Sequence, residues 1–117
     1  MSPTVVSEVH EGATKKGDVR NSASLAAILA VKKTPLSLPH CHPIPIEGCN
    51  VEWQEVENGL KCVVTVSTTS KTGVEMEALC GVSTALLCAW DMLKPILKDS
   101  SGQLSLIHIS EPTRRYF

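Results

Sequence analysis

Apolar positions along the chain fall into three helical patterns and one pair of alternating runs. Ser2-Pro3 precedes Val5, Val6 and Val9, and Gly12 follows them. A capping serine, a proline at the first helical position and a closing glycine predict a short helix. Lys15 to Val19 (KKGDV) reads as a loop, after which Asn21 or Ser22 caps a second helix with Leu25, Ala26, Ile28, Leu29 and Val31 on a broad apolar face. Lys32-Lys33 and then Pro35 mark its end.

Pro35, Pro39, Pro43 and Pro45 fix their own backbone and remove amide donors, so this stretch is expected to be extended and non-helical. Cys49, Val51 and Trp53 then alternate with polar neighbours. Asn58-Gly59 supplies a two-residue hairpin turn, and Leu60, Cys62, Val64 and Val66 resume the alternation. Thr72 and Glu75 stand at capping-box spacing ahead of about 25 helix-favouring, mostly apolar residues that run to Asp99. Pro95 lies inside this pattern and should kink or end the helix.

With 117 residues the chain holds one domain with a modest core. Eleven basic and twelve acidic residues give a net charge of -1 without blocks of one sign, which points away from a polyanion-binding tail. No apolar run approaches the roughly 18 to 20 residues of a bilayer span, and no basic-then-apolar leader follows Met1. The cytoplasm is therefore the expected compartment. Five cysteines, none in Cys-x-x-Cys spacing, are expected to be reduced thiols, with Cys80 and Cys88 in the core. The segment Leu104 to Arg114 (LSLIHISEPTR) fits neither helix nor strand and matches the first-frame translation of a sequencing-library adapter. Residues 104–117 are accordingly expected to be a non-native tail behind a domain of residues 1–103.

Three places hold candidate chemistry. His40-Cys41-His42 suggests a metal site, but tetrahedral zinc needs ligands converging from one side. In extended chain His40 and His42 share one face while Cys41 points to the other, so no metal is expected. Glu75 and Glu77 open the long helix, where carboxylates are favoured by its dipole; the capping box accounts for Glu75 and leaves Glu77 less explained. Asp91 and Lys94 stand at i and i+3 among apolar residues. On spacing alone they form a weak surface pair, whereas in a drier site a lysine beside a carboxylate is suited to proton transfer. Glu77 and Asp91 are 14 positions apart, roughly 21 Å along one helix face, so both can touch one small group only if another subunit contributes.

Taken together, KKGDV (Lys15 to Val19), LPHCHPIPIE (Leu38 to Glu47), SKTGVEMEAL (Ser70 to Leu79) and WDMLKPILKD (Trp90 to Asp99) resemble the MoaC family, the cyclic pyranopterin monophosphate synthases of molybdenum cofactor biosynthesis. The resemblance covers roughly residues 2 to 103. It implies an α+β, ferredoxin-like subunit, an antiparallel sheet covered by helices, assembled as a dimer-based hexamer with active sites between subunits. It further implies a pyrophosphate-releasing lyase that rearranges a cyclised dihydro-GTP, with no cofactor and with neither nucleic acid nor membrane as partner.

By position, the resemblance makes Asp91, Lys94 and Lys16 the catalytic residues. His40, Cys41, His42, Lys71, Glu75, Met76 and Glu77 contact substrate or lie beside it. A triphosphate needs cations and backbone donors, and ring opening and reclosure need groups that give and take protons. The family usually has an apolar residue at the position of His40 and no proline at that of Pro95. It also has a preceding strand with an active-site arginine and a different last strand, so the chain is expected to be truncated at both ends. The rival reading is a non-catalytic ferredoxin-like oligomerisation or regulatory module, whose charges only cap helices and solvate faces.

Overall fold

A computed structural model describes residues 3–14, 16–57, 59–97 and 113–115. Helix α1 (Pro3–Glu11) stops at Gly12, whose φ of +70° and N–H bond to the Glu8 carbonyl at 3.0 Å make the glycine stop that the sequence predicts. Gly17, Asp18 and Val19, expected in a loop, belong to a strand and to the next helix. Strands β1 (Ala13–Thr14) and β2 (Gly17–Asp18) pair antiparallel, Ala13 opposite Asp18 and Thr14 opposite Gly17.

Helix α2 (Val19–Lys32) starts ahead of the expected caps. Asp18 is the N-cap, extended at φ −77° and ψ 122°, and its carboxylate accepts the Asn21 N–H at 3.0 Å. Asn21 and Ser22 thus lie within the helix. The buried stripe is also narrower than expected: Val19, Ala23, Ala27 and Val31 face inward, while Leu25 and Leu29 are 58% and 44% exposed. Small residues at 23 and 27 allow a close helix neighbour, which wider side chains would hold off.

Pro35 does not keep its surroundings extended. Thr34–Ser37 forms a single helical turn, α3, with the proline in its first turn, where the missing N–H has no intrahelical acceptor to lose. Residues 38–47 then run without regular structure into β3 (Gly48–Val56), which pairs antiparallel with β4 (Gly59–Ser67). Val56 pairs with Gly59, so Gly59 belongs to the strand rather than to the expected turn. Cys49, Val51 and Trp53 stand opposite Val66, Val64 and Cys62, so the alternating apolar residues share one face as expected, in a register shifted from the one that an Asn58-Gly59 turn implies.

Helix α4 (Glu75–Leu97) continues through Pro95 to Leu97. Two residues beyond the proline complete the helix, so the disruption falls in its last turn. Thr72 does not cap it: the helix begins at Glu75, and the Thr72 hydroxyl lies 3.3 Å from the Ser70 hydroxyl. By length and composition α4 reaches the requirement for a bilayer span, contrary to expectation. Its buried face nevertheless lies in a protein core, against α2 and β4. Ala78, Val82, Ala85, Met92 and Leu93 meet Ala23, Ala27, Val31, Cys62, Val64 and Val66 there. A Cβ on Gly81 would come within 2.7 Å of Val31 Cγ2 and 3.5 Å of the Ala27 carbonyl oxygen, so the two backbones are close at this point.

The described elements make an α+β fold. Thr113–Arg115 forms β5, parallel to β4, so the sheet order is β3-β4-β5 and the expected wholly antiparallel sheet carries a short parallel strand. The remainder of the segment expected to be a non-native tail, including His108 and Glu111, lies outside the described residues. All five cysteines are free thiols; Cys62 is the buried one, Cys88 is half-buried but packs against the core as expected, and Cys80 is half-buried outside that cluster, a correction to its expected core placement.

Candidate active site

The β1–β2 hairpin brings Lys16 to the far end of α4. Its ammonium lies 3.2 Å from Asp91 Oδ2, and the Lys94 ammonium lies 2.8 Å from Asp91 Oδ1. One carboxylate therefore joins two lysines 78 positions apart in sequence. Lys16 is held by a tight turn: its own N–H donates to Thr14 Oγ1 at 3.2 Å, and Thr14 Oγ1 donates to the Gly17 carbonyl at 2.9 Å. Gly17 has φ of +113°, a conformation other residues adopt only under strain.

The hydrogen bond from Lys94, followed by that from Lys16, holds the Asp91 carboxyl below the usual carboxylate range. Asp91 is thus ionised at neutral pH and orients two ammonium groups rather than donating a proton. The cluster is open to solvent, with the Asp91 side chain 55% exposed, so an anionic ligand can reach both lysines.

A second group forms at the opposite end of α4. Cys41 turns inward, with Sγ 3.7 Å from Glu77 Oε2, while His40 and His42 on either side of it are exposed. The in-and-out alternation of these three residues matches the expectation, but the backbone is not extended throughout: the Cys41 N–H donates to the Leu38 carbonyl at 3.0 Å, closing a turn over Pro39 and His40. Burial chiefly, and then the negative charge of Glu77, push the Cys41 thiol up. Glu77 is only 2% exposed, and a weak thiol donor is a poor substitute for water around a carboxylate. Met76 and Lys71 are exposed, and Glu75 is half-buried with its carboxylate folded over Gly73. Among the described residues, no three His, Cys, Asp or Glu side chains form a metal-ligand group.

The expected site residues therefore gather into two groups on one helix. Lys16, Asp91 and Lys94 meet at its C-terminal end; Cys41 meets Glu77 at its N-terminal end. Glu77 and Asp91, 14 positions apart on a continuous helix, put the two groups roughly 21 Å apart. Glu47 and Thr68 escaped the sequence reading, although they tie the proline-rich loop to the segment ahead of α4. The prolines were a partial signal, since a segment with few N–H donors has to be held through its carbonyls and side chains.

Comparison with known proteins agrees with the resemblance. The family model described as the MoaC family matches residues 1–113. A Methanospirillum hungatei protein is 45% identical over 111 residues, covering 95% of this chain and 71% of the relative. A Thermococcus onnurineus protein is 46% identical over 109 residues, covering 93% and 70%. An Aeropyrum pernix protein is 53% identical over 97 residues, covering 83% and 66%. Each of the three is named "Probable cyclic pyranopterin monophosphate synthase". With a match over nearly its whole length, and relatives this similar, the chain belongs to the MoaC family.

Proposed function

We propose that the chain is a cyclic pyranopterin monophosphate synthase of molybdenum cofactor biosynthesis, a lyase acting on a cyclised dihydro-GTP. The observation that carries this reading is the junction of Lys16 with Asp91 and Lys94 in a member of the family. In the reaction a substrate hydroxyl attacks the α-phosphorus and gives up its proton. The bond from that phosphorus to the bridging oxygen breaks, pyrophosphate leaves, and a cyclic phosphate closes. Lysine ammonium groups stabilise the departing charge and pass protons during the ring rearrangement, while Asp91 fixes their positions.

The lysine cluster suits the phosphate end of the substrate better than the N-terminus of α4, where Glu75 and Glu77 would repel it. His40, Cys41, His42, Lys71, Glu75, Met76 and Glu77 are assigned to substrate binding. The separation between the two groups supports a site shared by two copies, in the dimer-based hexamer that the resemblance implies. The order α2–β3–β4–α4 supports the ferredoxin-like reading, since it repeats the centre of a β-α-β-β-α-β arrangement. No cofactor is invoked, and the compartment assigned is the cytoplasm.

The deciding experiment measures pyrophosphate release from the cyclised triphosphate. Wild type should release it, and Asp91→Ala and Lys94→Ala should not while remaining folded. If these variants change only stability, the non-catalytic module is the better description.

A further inference from the structure

Between Leu38 and Glu47 the chain has few ways to hold its shape. Pro39, Pro43 and Pro45 have no N–H to donate, and the segment forms no strand. Pro45 can be fixed through its carbonyl, which accepts the Thr68 hydroxyl at 2.8 Å. Two residues later the Glu47 N–H donates to the Ser67 carbonyl at 3.0 Å. The Glu47 side chain reaches further: its Oε1 accepts the Thr69 N–H at 3.0 Å and also the Thr69 hydroxyl. Thr68 acts in both directions, since its oxygen accepts the Ser70 N–H at 3.2 Å while its proton goes to Pro45. Thr68 is buried, at 6% exposure, so water does not replace these bonds easily.

The cross-links join two stretches that the proposed function assigns to substrate. On one side is the loop of His40, Cys41 and His42; on the other is the segment through Lys71 into Met76 and Glu77. Their contact nearer the ligand groups is the weak one from Cys41 to Glu77 at 3.7 Å, which cannot set a spacing by itself.

We propose that Glu47 and Thr68 are positioning residues for substrate, clamping the histidine loop to the Thr69–Gly73 segment so that both ligand-contacting stretches keep one separation. This rests on the proposed function. Neither residue touches the reacting atoms; both act through the segments that they join.

The test uses the full chain and reads kcat and KM separately, alongside melting temperature. Thr68→Val removes the hydroxyl at nearly constant volume, and Glu47→Ala removes the exposed clamp without opening the core. Each should raise KM by about tenfold with kcat per folded protein changed less than about threefold, the pattern of lost binding shared by ground and transition states. Glu47→Gln retains an oxygen for the Thr69 N–H and should recover most of the KM. Unchanged KM in Thr68→Val and Glu47→Ala, or a loss that only tracks the folded fraction, overturns the clamp while leaving the enzyme reading intact. A wild type that releases no pyrophosphate overturns the enzyme reading itself, and the clamp's role toward substrate with it.

Discussion

Asp91 accepts from two lysines, and each bond has its own consequence. Asp91→Asn should keep the fold but leave both ammonium groups without a fixed counter-charge, lowering kcat by about a hundredfold or more, as measured by pyrophosphate release. Because the folded carboxyl is held below its ordinary value by Lys94 and Lys16, its contribution to stability is present above about pH 4 and lost as pH falls further. Melting curves of wild type and Asp91→Asn should therefore converge in acid. Cys41 offers a separate reading of Glu77. Burial remains in Glu77→Gln but the negative charge is gone, so iodoacetamide should modify Cys41 faster in that variant at pH 8 than in wild type. An unchanged rate would remove Glu77 as a cause of the raised thiol. Asp91 with Lys94 was visible in the sequence because three positions on a helix are neighbours. Lys16 joining Asp91 and Cys41 joining Glu77 were not visible from spacing, since tertiary packing alone brings them together.

At the scale of elements, the tightest constraint is the approach of α2 to α4. Gly81→Ala would drive a methyl into Val31 and Val64, and overpacking of this kind costs about 1–3 kcal/mol, measurable by denaturant unfolding. A variant as stable as wild type would mean that the helices can separate at this point without penalty. The apolar pattern of α2 announced a helix but misplaced its buried face. Leucine is the stronger hydrophobe, yet Ala23 and Ala27 are chosen for contact because α4 comes too close for Leu25 or Leu29. Similarly, Asn58-Gly59 marked the hairpin but not its register, which the facing side chains of β3 and β4 shift by one residue. Pro35 misled for a different reason: proline opposes the interior of a helix, not its first turn.

For the whole molecule, the order of helices and long strands was readable from periodicity, while the α+β class came with the family resemblance. Whether the two groups on α4 act together was not readable, because sharing between copies would leave no mark on the periodicity of one sequence. The proposed sharing of sites between copies has a direct test. Asp91→Ala and Glu77→Ala should each be inactive alone, and mixing them under conditions that exchange subunits should restore part of the activity, through sites built from two intact halves. No recovery in a mixed oligomer of confirmed composition would place a complete site within each chain.

Lys16 is attached to the rest of the protein very differently from its partners. Asp91 and Lys94 stand on a 23-residue helix seated in the core, while Lys16 stands on a turn between two strands of two residues each. Small exposed units of that kind open at far lower free energy than a core helix. Heating should therefore detach the lysine while α4 is still folded, making catalysis the more heat-sensitive property. Activity should disappear several degrees below the unfolding transition and return on cooling, and a proline or disulfide that stiffens the turn should bring the two temperatures together.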